Sequence, residues 1–122
     1  MKTWQRLGII GMLDNNLQEK IDDLISQIVR YWGDNISIIN IITHQGAPFD
    51  IFEVSTIVYN RFDVMFEYER STLGIRIKVG NEYIGLSRLS REPVIKGFKS
   101  YTTENMLNNF GVLDKTLKSM AS

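Results

Sequence analysis

The sequence predicts an α+β fold in which an antiparallel β-meander packs against an N-terminal amphipathic helix and short C-terminal helices. Two patterns indicate this fold: apolar residues at helical spacing near the N-terminus, and a strict two-residue alternation in the middle of the chain. Of the 122 residues, 43% are hydrophobic and 23% are charged, which is typical of one globular domain. We therefore expect residues 1–122 to form a single domain.

The helical pattern covers residues 17–32. Its apolar members recur on one side of a helix, at Leu17, Ile21, Leu24, Ile25, Ile28 and Trp32. Residues 14–16 supply polar N-cap candidates, and Gly33 is placed to end the helix in the left-handed conformation. The polar side of this helix contains Asp22 and Asp23, which we expect to face solvent.

A β-branched run at residues 36–42 has no helical spacing and few polar residues. Such a run predicts a strand buried on both faces, so we expect it to lie in the centre of the sheet. Residues 43–48 follow, and Gly46 and Pro48 predict a loop there.

The clearest strand covers residues 62–68, where apolar and polar side chains alternate. One face contains Phe62, Val64, Phe66 and Tyr68, and the other contains Asp63, Met65, Glu67 and Glu69. Residues 52–59 predict a strand before it, and residues 75–79 resume the alternation after it. These segments predict the core of the meander.

Hairpin turns set the pairing of the meander. Gly80–Asn81 predicts a two-residue turn that returns the chain through residues 83–86. A pairing across residues 71–74 that keeps the apolar faces together also brings opposite charges together on the solvent side. The residues concerned are Glu67, Glu69, Arg76 and Lys78.

The C-terminal third has weaker patterns. Residues 87–100 predict a loop or a short irregular strand. Thr102 or Thr103 is expected to cap a short helix that Gly111 ends. Residues 112–120 then predict a last helix.

Composition excludes several classes of protein. There is no cysteine, so disulfides and thiolate metal sites are impossible. The 14 basic and 14 acidic residues balance, which removes the positive field expected of a nucleic-acid-binding protein. The apolar stretch at residues 7–13 is at the short limit for a signal peptide and lacks a small-residue cleavage site after it. We expect a cytoplasmic protein with no cofactor, no metal, no nucleic acid and no membrane partner.

Two other functions remain open from the residues alone. His44 is the only histidine, and a small hydrolase would have to work through it together with a nearby carboxylate. A nucleic-acid-binding module would use the basic stretch that contains Arg88, Arg91, Lys96 and Lys99. We rank a solvated or capping role for His44 and a solvated loop for the basic stretch ahead of both.

Four segments together resemble small immunity proteins of bacterial contact-dependent growth inhibition and related polymorphic toxin systems. They are residues 62–70 (FDVMFEYER), residues 83–88 (YIGLSR), Gly97–Phe98 and residues 108–114 (NNFGVLD). The resemblance implies a cytoplasmic protein without enzymatic activity that binds the C-terminal toxin domain of a secreted effector, commonly a nuclease. Binding would cover the active site or the substrate surface of the toxin.

A basic toxin predicts an acidic binding surface on its inhibitor. The pattern exposes two such surfaces, the sheet residues Asp63, Glu67 and Glu69 and the helix residues Asp22 and Asp23. We prefer the sheet face, because a strand holds its side chains rigidly and loses less entropy on binding. Tyr59 and Met65 are expected to be apolar anchors beside it.

Overall fold

A computed structural model describes residues 15–44, 51–69, 72–93 and 103–121, and it places one antiparallel sheet against two long helices. The elements are α1 (Asn15–Trp32), β1 (Ile36–His44), β2 (Ile51–Val58), β3 (Phe62–Glu69), β4 (Thr72–Val79), β5 (Glu82–Gly85), α2 (Leu86–Leu89) and α3 (Thr103–Ala121). A 3₁₀ turn, Gly33–Asn35, joins α1 to β1. The five strands lie in chain order, each antiparallel to the next. The predicted α+β fold with an antiparallel meander is confirmed.

The core lies between one face of the sheet and the two long helices. Phe110 of α3 is fully buried, with its ring centroid 5.1 Å from that of Trp32 in α1 and 5.9 Å from that of Phe66 in β3. Aromatic pairs at these separations attract each other beyond the free energy of burying their area. This cluster fixes both helices on the same side of the sheet.

The predicted helix at residues 17–32 is confirmed. Its apolar side is buried, and Gly33 follows it at φ +58°, the left-handed conformation that ends a helix. The alternation of β2 and β3 is also confirmed, because Phe52, Val54 and Phe66 are buried while the residues between them are more exposed. Local periodicity is therefore a sound guide to these elements.

The position predicted for the β-branched run is wrong. Among the described strands β1 pairs only with β2, so it lies at an edge of the sheet and not in its centre. Its side chains are half-buried or exposed, and a bulge interrupts the pairing between Ile38 and Asn40. β-branched residues favour strands of any kind, whereas the position of a strand depends on the order of pairing. Thr43 and His44 belong to this strand and not to the predicted loop.

The predicted break at Gly111 is wrong as well. α3 has 19 residues and continues through Gly111 without a break, because its buried side runs along Met106, Phe110, Leu113 and Leu117. Glycine inside a helix costs roughly 1 kcal/mol relative to alanine, less than the contribution of these buried side chains. The sequence does not predict the short helix α2 (Leu86–Leu89): it predicts a strand that ends at Leu86 and a loop that includes residues 87–89.

Several expectations concern residues outside the described part of the chain. They are the stretch at residues 7–13, the N-cap at Asp14, the loop residues 45–48, the basic residues Lys96 and Lys99, the segment Gly97–Phe98 and the cap at Thr102.

Replacement of Gly111 by alanine tests the packing around α3. A Cβ atom at this position would meet Tyr31 Oη at 3.8 Å, an ordinary contact, and the backbone is helical. We expect Gly111→Ala to raise the free energy of unfolding by about 0.5–1 kcal/mol, measured by urea denaturation. Gly33→Ala is the matched control and should lower it, because φ is +58° there. A loss of stability in Gly111→Ala would contradict the helical backbone and the free space described at residue 111.

Candidate functional site

The outer face of the sheet, which is the face opposite α1 and α3, carries alternate residues of the strands. β2 contributes Ile51, Glu53, Ser55 and Ile57, and β3 contributes Asp63, Met65, Glu67 and Glu69. β1 contributes Asn40, Ile42 and His44 at one edge, and β4 contributes Thr72, Gly74, Arg76 and Lys78. This face therefore mixes charged and apolar side chains.

Acidic side chains are in excess on the outer face. The register places Glu53 of β2 directly opposite Glu67 of β3, and Asp63 and Glu69 lie further along β3 on the same face. Cross-strand like charges are destabilising, by a few tenths of a kcal/mol to about 1 kcal/mol per pair. Among the described residues of this face, these four carboxylates outnumber the two basic side chains of β4, Arg76 and Lys78. The strands thus place two glutamates opposite each other on an acidic face.

Two basic side chains flank the opposed glutamates. Arg76 Nε lies 2.7 Å from Glu67 Oε1, and His44 Nε2 lies 3.2 Å from Glu53 Oε2. All four side chains are partly exposed, and solvent-exposed ion pairs contribute about 1 kcal/mol or less. These contacts orient the carboxylates, while the backbone pairing of the strands determines their positions.

The ion pairs only partly follow the prediction. Arg76 pairs with Glu67 as expected, but Lys78 Nζ lies 3.9 Å from Asp63 Oδ2 instead of beside Glu69. The reason is the register of the two strands: Thr72, the first residue of β4, pairs with Glu69, and Arg76 pairs with Met65. Lys78 therefore lies near the Asp63 end of β3, far from Glu69.

Apolar side chains lie among these charges. Met65 is half-buried at the centre of the face, where the register sets it between Ser55 of β2 and Arg76 of β4. Ile51 and Ile57 are half-buried on the neighbouring strand β2. A partly desolvated apolar centre with charged groups around it is typical of a protein–protein interface.

The structure separates the predicted site residues into three places. Asp63, Met65, Glu67 and Glu69 share the outer face, as predicted. Asp22 and Asp23 are half-buried residues of α1, the helix that packs on the other face. The placement of Tyr59 beside Met65 is wrong, because its hydroxyl donates a hydrogen bond of 2.5 Å to Asp114 Oδ1 of α3.

Glu53 is absent from the site that the sequence predicts. The alternation of its strand already places Glu53 on the same face as Ser55 and Ile57. The register with β3, which sets Glu53 opposite Glu67, depends on tertiary pairing. The contact of His44 with Glu53 likewise joins two strands and has no sequence signature.

A second polar cluster surrounds Asp114 on the helix side. Asp114 Oδ1 accepts hydrogen bonds from Trp32 Nε1 at 3.1 Å and from Tyr59, and Oδ2 lies 2.9 Å from Lys118 Nζ. Burial by itself would raise the pKa of Asp114, but the hydrogen bonds from Tyr59, Lys118 and Trp32 outweigh burial and lower it below its ordinary value. Both carboxylate oxygens are engaged, so this cluster joins α1, the β2–β3 turn and α3.

The end of α2 and the last turns of α3 enclose a shallow cavity of about 200 Å³. It contains Arg91, a member of the predicted basic stretch, but Glu92 lies beside it and pairs with Lys115 at 3.1 Å. The neighbouring carboxylate weakens the positive charge that a phosphate group would require.

Comparison with known proteins gives no match: no protein-family model fits the sequence, and searches of the curated proteins and of the solved structures find no similar chain. In the described ranges, no helix combines the length and the apolar character needed to cross a membrane. Across the same residues, no group of three or more histidine and acidic side chains is arranged to hold a metal ion. The acidic side chains around Met65 make the outer face the candidate functional site.

Replacement of Asp114 by asparagine tests the helix-side cluster. Hydrogen bonds to a charged group contribute about 1.5–3 kcal/mol, so Asp114→Asn should lower the free energy of unfolding by roughly 2 kcal/mol at neutral pH. Because the pKa is lowered in the folded state, this stabilisation is present above the ordinary value of 3.8 and is lost as pH falls through the folded-state pKa. Urea denaturation as a function of pH should show the wild type and the variant converging below about pH 4.

Asp63→Asn is the matched control, since the ion pair of Asp63 with Lys78, at 3.9 Å, is partly exposed. It should change the free energy of unfolding by less than about 0.5 kcal/mol. A difference between the wild type and Asp114→Asn that stays constant down to low pH would contradict the assigned role of the Asp114 carboxylate.

Proposed function

We propose that this chain is an immunity protein that binds the toxin domain of a contact-dependent growth inhibition system, or of a related toxin system, and neutralises it in the cytoplasm. The observation that carries the proposal is the direct opposition of Glu53 and Glu67 on the outer face. The resemblance of residues 62–70, 83–88, 97–98 and 108–114 to small immunity proteins supports it independently.

The opposed glutamates favour a cationic partner. In the free protein Arg76 contacts Glu67 at 2.7 Å and His44 contacts Glu53 at 3.2 Å, and all four side chains are partly exposed. A lysine or arginine of a partner placed between the two carboxylates would interact with both at once. A cationic partner would therefore gain binding energy at this pair.

A nuclease toxin presents such a cation. Its substrate surface must be basic, because most of the affinity of a protein for a nucleic-acid backbone comes from neutralising phosphates. An acidic surface on the inhibitor attracts that basic surface, which speeds association and excludes partners of the wrong charge. Covering the basic surface would also exclude the nucleic acid, so binding and inhibition would be one event.

The position of the acidic residues in the fold suits a binding surface. β3 is the middle strand and is hydrogen-bonded to β2 and to β4, so Asp63, Glu67 and Glu69 lie on a backbone that is paired on both sides. A rigid surface loses little conformational entropy when a partner binds. Met65 at the centre supplies an apolar contact around which the charges are arranged.

A second candidate function is hydrolysis through the His44–Glu53 pair. The observation that favours it is the distance of 3.2 Å between His44 Nε2 and Glu53 Oε2. At this distance a carboxylate can orient a catalytic imidazole. Both side chains are partly exposed at the edge of the sheet, whereas effective acid–base groups usually lie in a site that excludes water. We therefore rank this function below partner binding.

Neutralisation of both opposed glutamates tests the proposal. Glu53→Gln and Glu67→Gln together remove the charges without adding a repulsive lysine beside Arg76. We expect affinity for the toxin domain to fall about 100-fold, which corresponds to a loss of roughly 2–3 kcal/mol. Binding is measured by calorimetry against the C-terminal domain of the secreted effector encoded directly upstream, and the melting temperature should hardly change.

Asp22→Asn with Asp23→Asn is the matched control for that experiment, because it removes two carboxylates from the opposite layer of the fold. Unchanged affinity in the Glu53/Glu67 variant, with the fold intact by circular dichroism, would reject the outer face. If only the α1 variant lost affinity, the helix surface would be the binding site. The absence of an upstream effector gene would argue against the immunity function itself.

One further substitution distinguishes the hydrolase function from partner binding. His44→Ala removes the only imidazole of the chain but leaves Glu53 and Glu67 in place. We expect protection of cells from the toxin to persist, with affinity changed less than about fivefold, since an exposed pair contributes about 1 kcal/mol or less. Complete loss of activity in a folded His44→Ala protein would instead favour the hydrolase.

A further inference from the structure

The geometry of β1 concerns a different surface from the outer face. Among the described residues, β1 pairs with β2 on one side and with no other strand on its second side. The second side of an edge strand presents backbone N–H and C=O groups that can pair with another strand. We infer that β1 is the edge at which two copies of this chain associate, joining their sheets into one.

The composition of β1 favours pairing of its open edge with another strand. Its nine residues include no lysine, arginine, aspartate, glutamate or proline, the residues that usually block an exposed edge. Ile39 is 57% exposed and Ile42 is 41% exposed, so large apolar side chains lie at this edge. Association would remove this apolar surface from water.

The charge of the chain favours a second copy as the partner of the β1 edge. The chain carries 14 basic and 14 acidic residues, so two copies meet without a net repulsion. β1 contains no lysine, arginine, aspartate or glutamate, so it offers none of these side chains to select a charged foreign strand. A neutral edge is complementary to itself.

The bulge determines which part of β1 can pair regularly. Between Ile38 and Asn40 the register shifts, but residues 40–44 pair with β2 without interruption. Antiparallel pairing of residues 40–44 with the same residues of a second copy keeps every side chain on its own face when it is centred on Ile42. Ile42 then meets Ile42 of the second copy on the two-fold axis, and Asn40 meets His44 on either side.

This arrangement has a defined symmetry. A two-fold axis through the paired edges stands perpendicular to the sheet, so the helices of both copies lie on one side. The two outer faces then become continuous on the other side. Association through β1 involves only this chain and does not depend on toxin binding, so either proposal can fail without the other.

Cysteine cross-linking tests both the edge and the register. The chain has no cysteine, so Ile42→Cys introduces a single thiol. Residues directly opposite in an antiparallel pair have Cβ atoms roughly 4.5–5.5 Å apart, close enough for a disulfide after small adjustments. We expect Ile42→Cys to form a covalent dimer at least about tenfold faster than Val79→Cys, a control on β4 with a similar exposure of 39%.

Sedimentation equilibrium of the wild-type protein provides the second measurement. We expect a dimer with a dissociation constant of about 10 µM or lower, and a monomer for Ile42→Lys, which sets two like charges opposite each other. Val79→Lys should remain a dimer, and circular dichroism establishes that each variant is folded. A wild-type monomer at about 100 µM would overturn the inference and leave the edge to a strand of another protein. A dimer that Ile42→Cys fails to cross-link would overturn it too.

Discussion

Phe110 packs between Trp32 of α1 and Phe66 of β3, and the arrangement of the two layers depends on this contact. Because Phe110 lies at the middle of α3, it holds that helix against α1 and against the sheet at the same point. Because both helices pack on one face of the sheet, the alternate residues of each strand lie on the opposite, outer face. The outer face with its carboxylates is a direct consequence of where the aromatic cluster lies.

A second constraint acts through the turn between β2 and β3. Tyr59 and Asn60 both have φ of 55°, a conformation that non-glycine residues adopt at a cost of about 1 kcal/mol or more each. Three residues, Tyr59 to Arg61, lie between the paired residues Val58 and Phe62, and the Arg61 amide closes the turn by donating to the Val58 carbonyl oxygen at 3.1 Å. The Tyr59 amide donates to the Asn35 carbonyl oxygen at 2.6 Å. The Tyr59 hydroxyl also donates to Asp114. Hydrogen bonds to Asn35 and to Asp114 thus stabilise this strained turn. The turn fixes the pairing of β2 with β3, which places Glu53 opposite Glu67.

The outer face and the edge of β1 have different physical characters. On the outer face, backbone pairing holds like charges together, and a cation from outside would improve the electrostatic energy. At the edge, the exposed groups are neutral backbone amides and isoleucine side chains, for which a similar strand is the natural complement. The proposal of a basic partner for the outer face and the proposal of a second copy at the β1 edge rest on this difference in charge.

The sequence by itself determined the elements whose pattern is local. A stripe of apolar residues in α1 and the alternation of β2 and β3 suffice, because burying one side of a helix or strand requires only a repeating order along the chain. The shared face of Asp63, Met65, Glu67 and Glu69 follows from the same alternation. The β3 part of the candidate site could therefore be predicted from local periodicity alone.

Tertiary structure decided whatever depends on contacts between distant segments. The edge position of β1 depends on the order of strands, and the continuity of α3 through Gly111 depends on packing against α1 and the sheet. The opposition of Glu53 to Glu67 depends on register, and the bond from Tyr59 to Asp114 spans 55 residues. Periodicity states which side of an element is buried. It does not state which neighbour covers that side, because the free energy that selects the neighbour exists only when both segments are folded together.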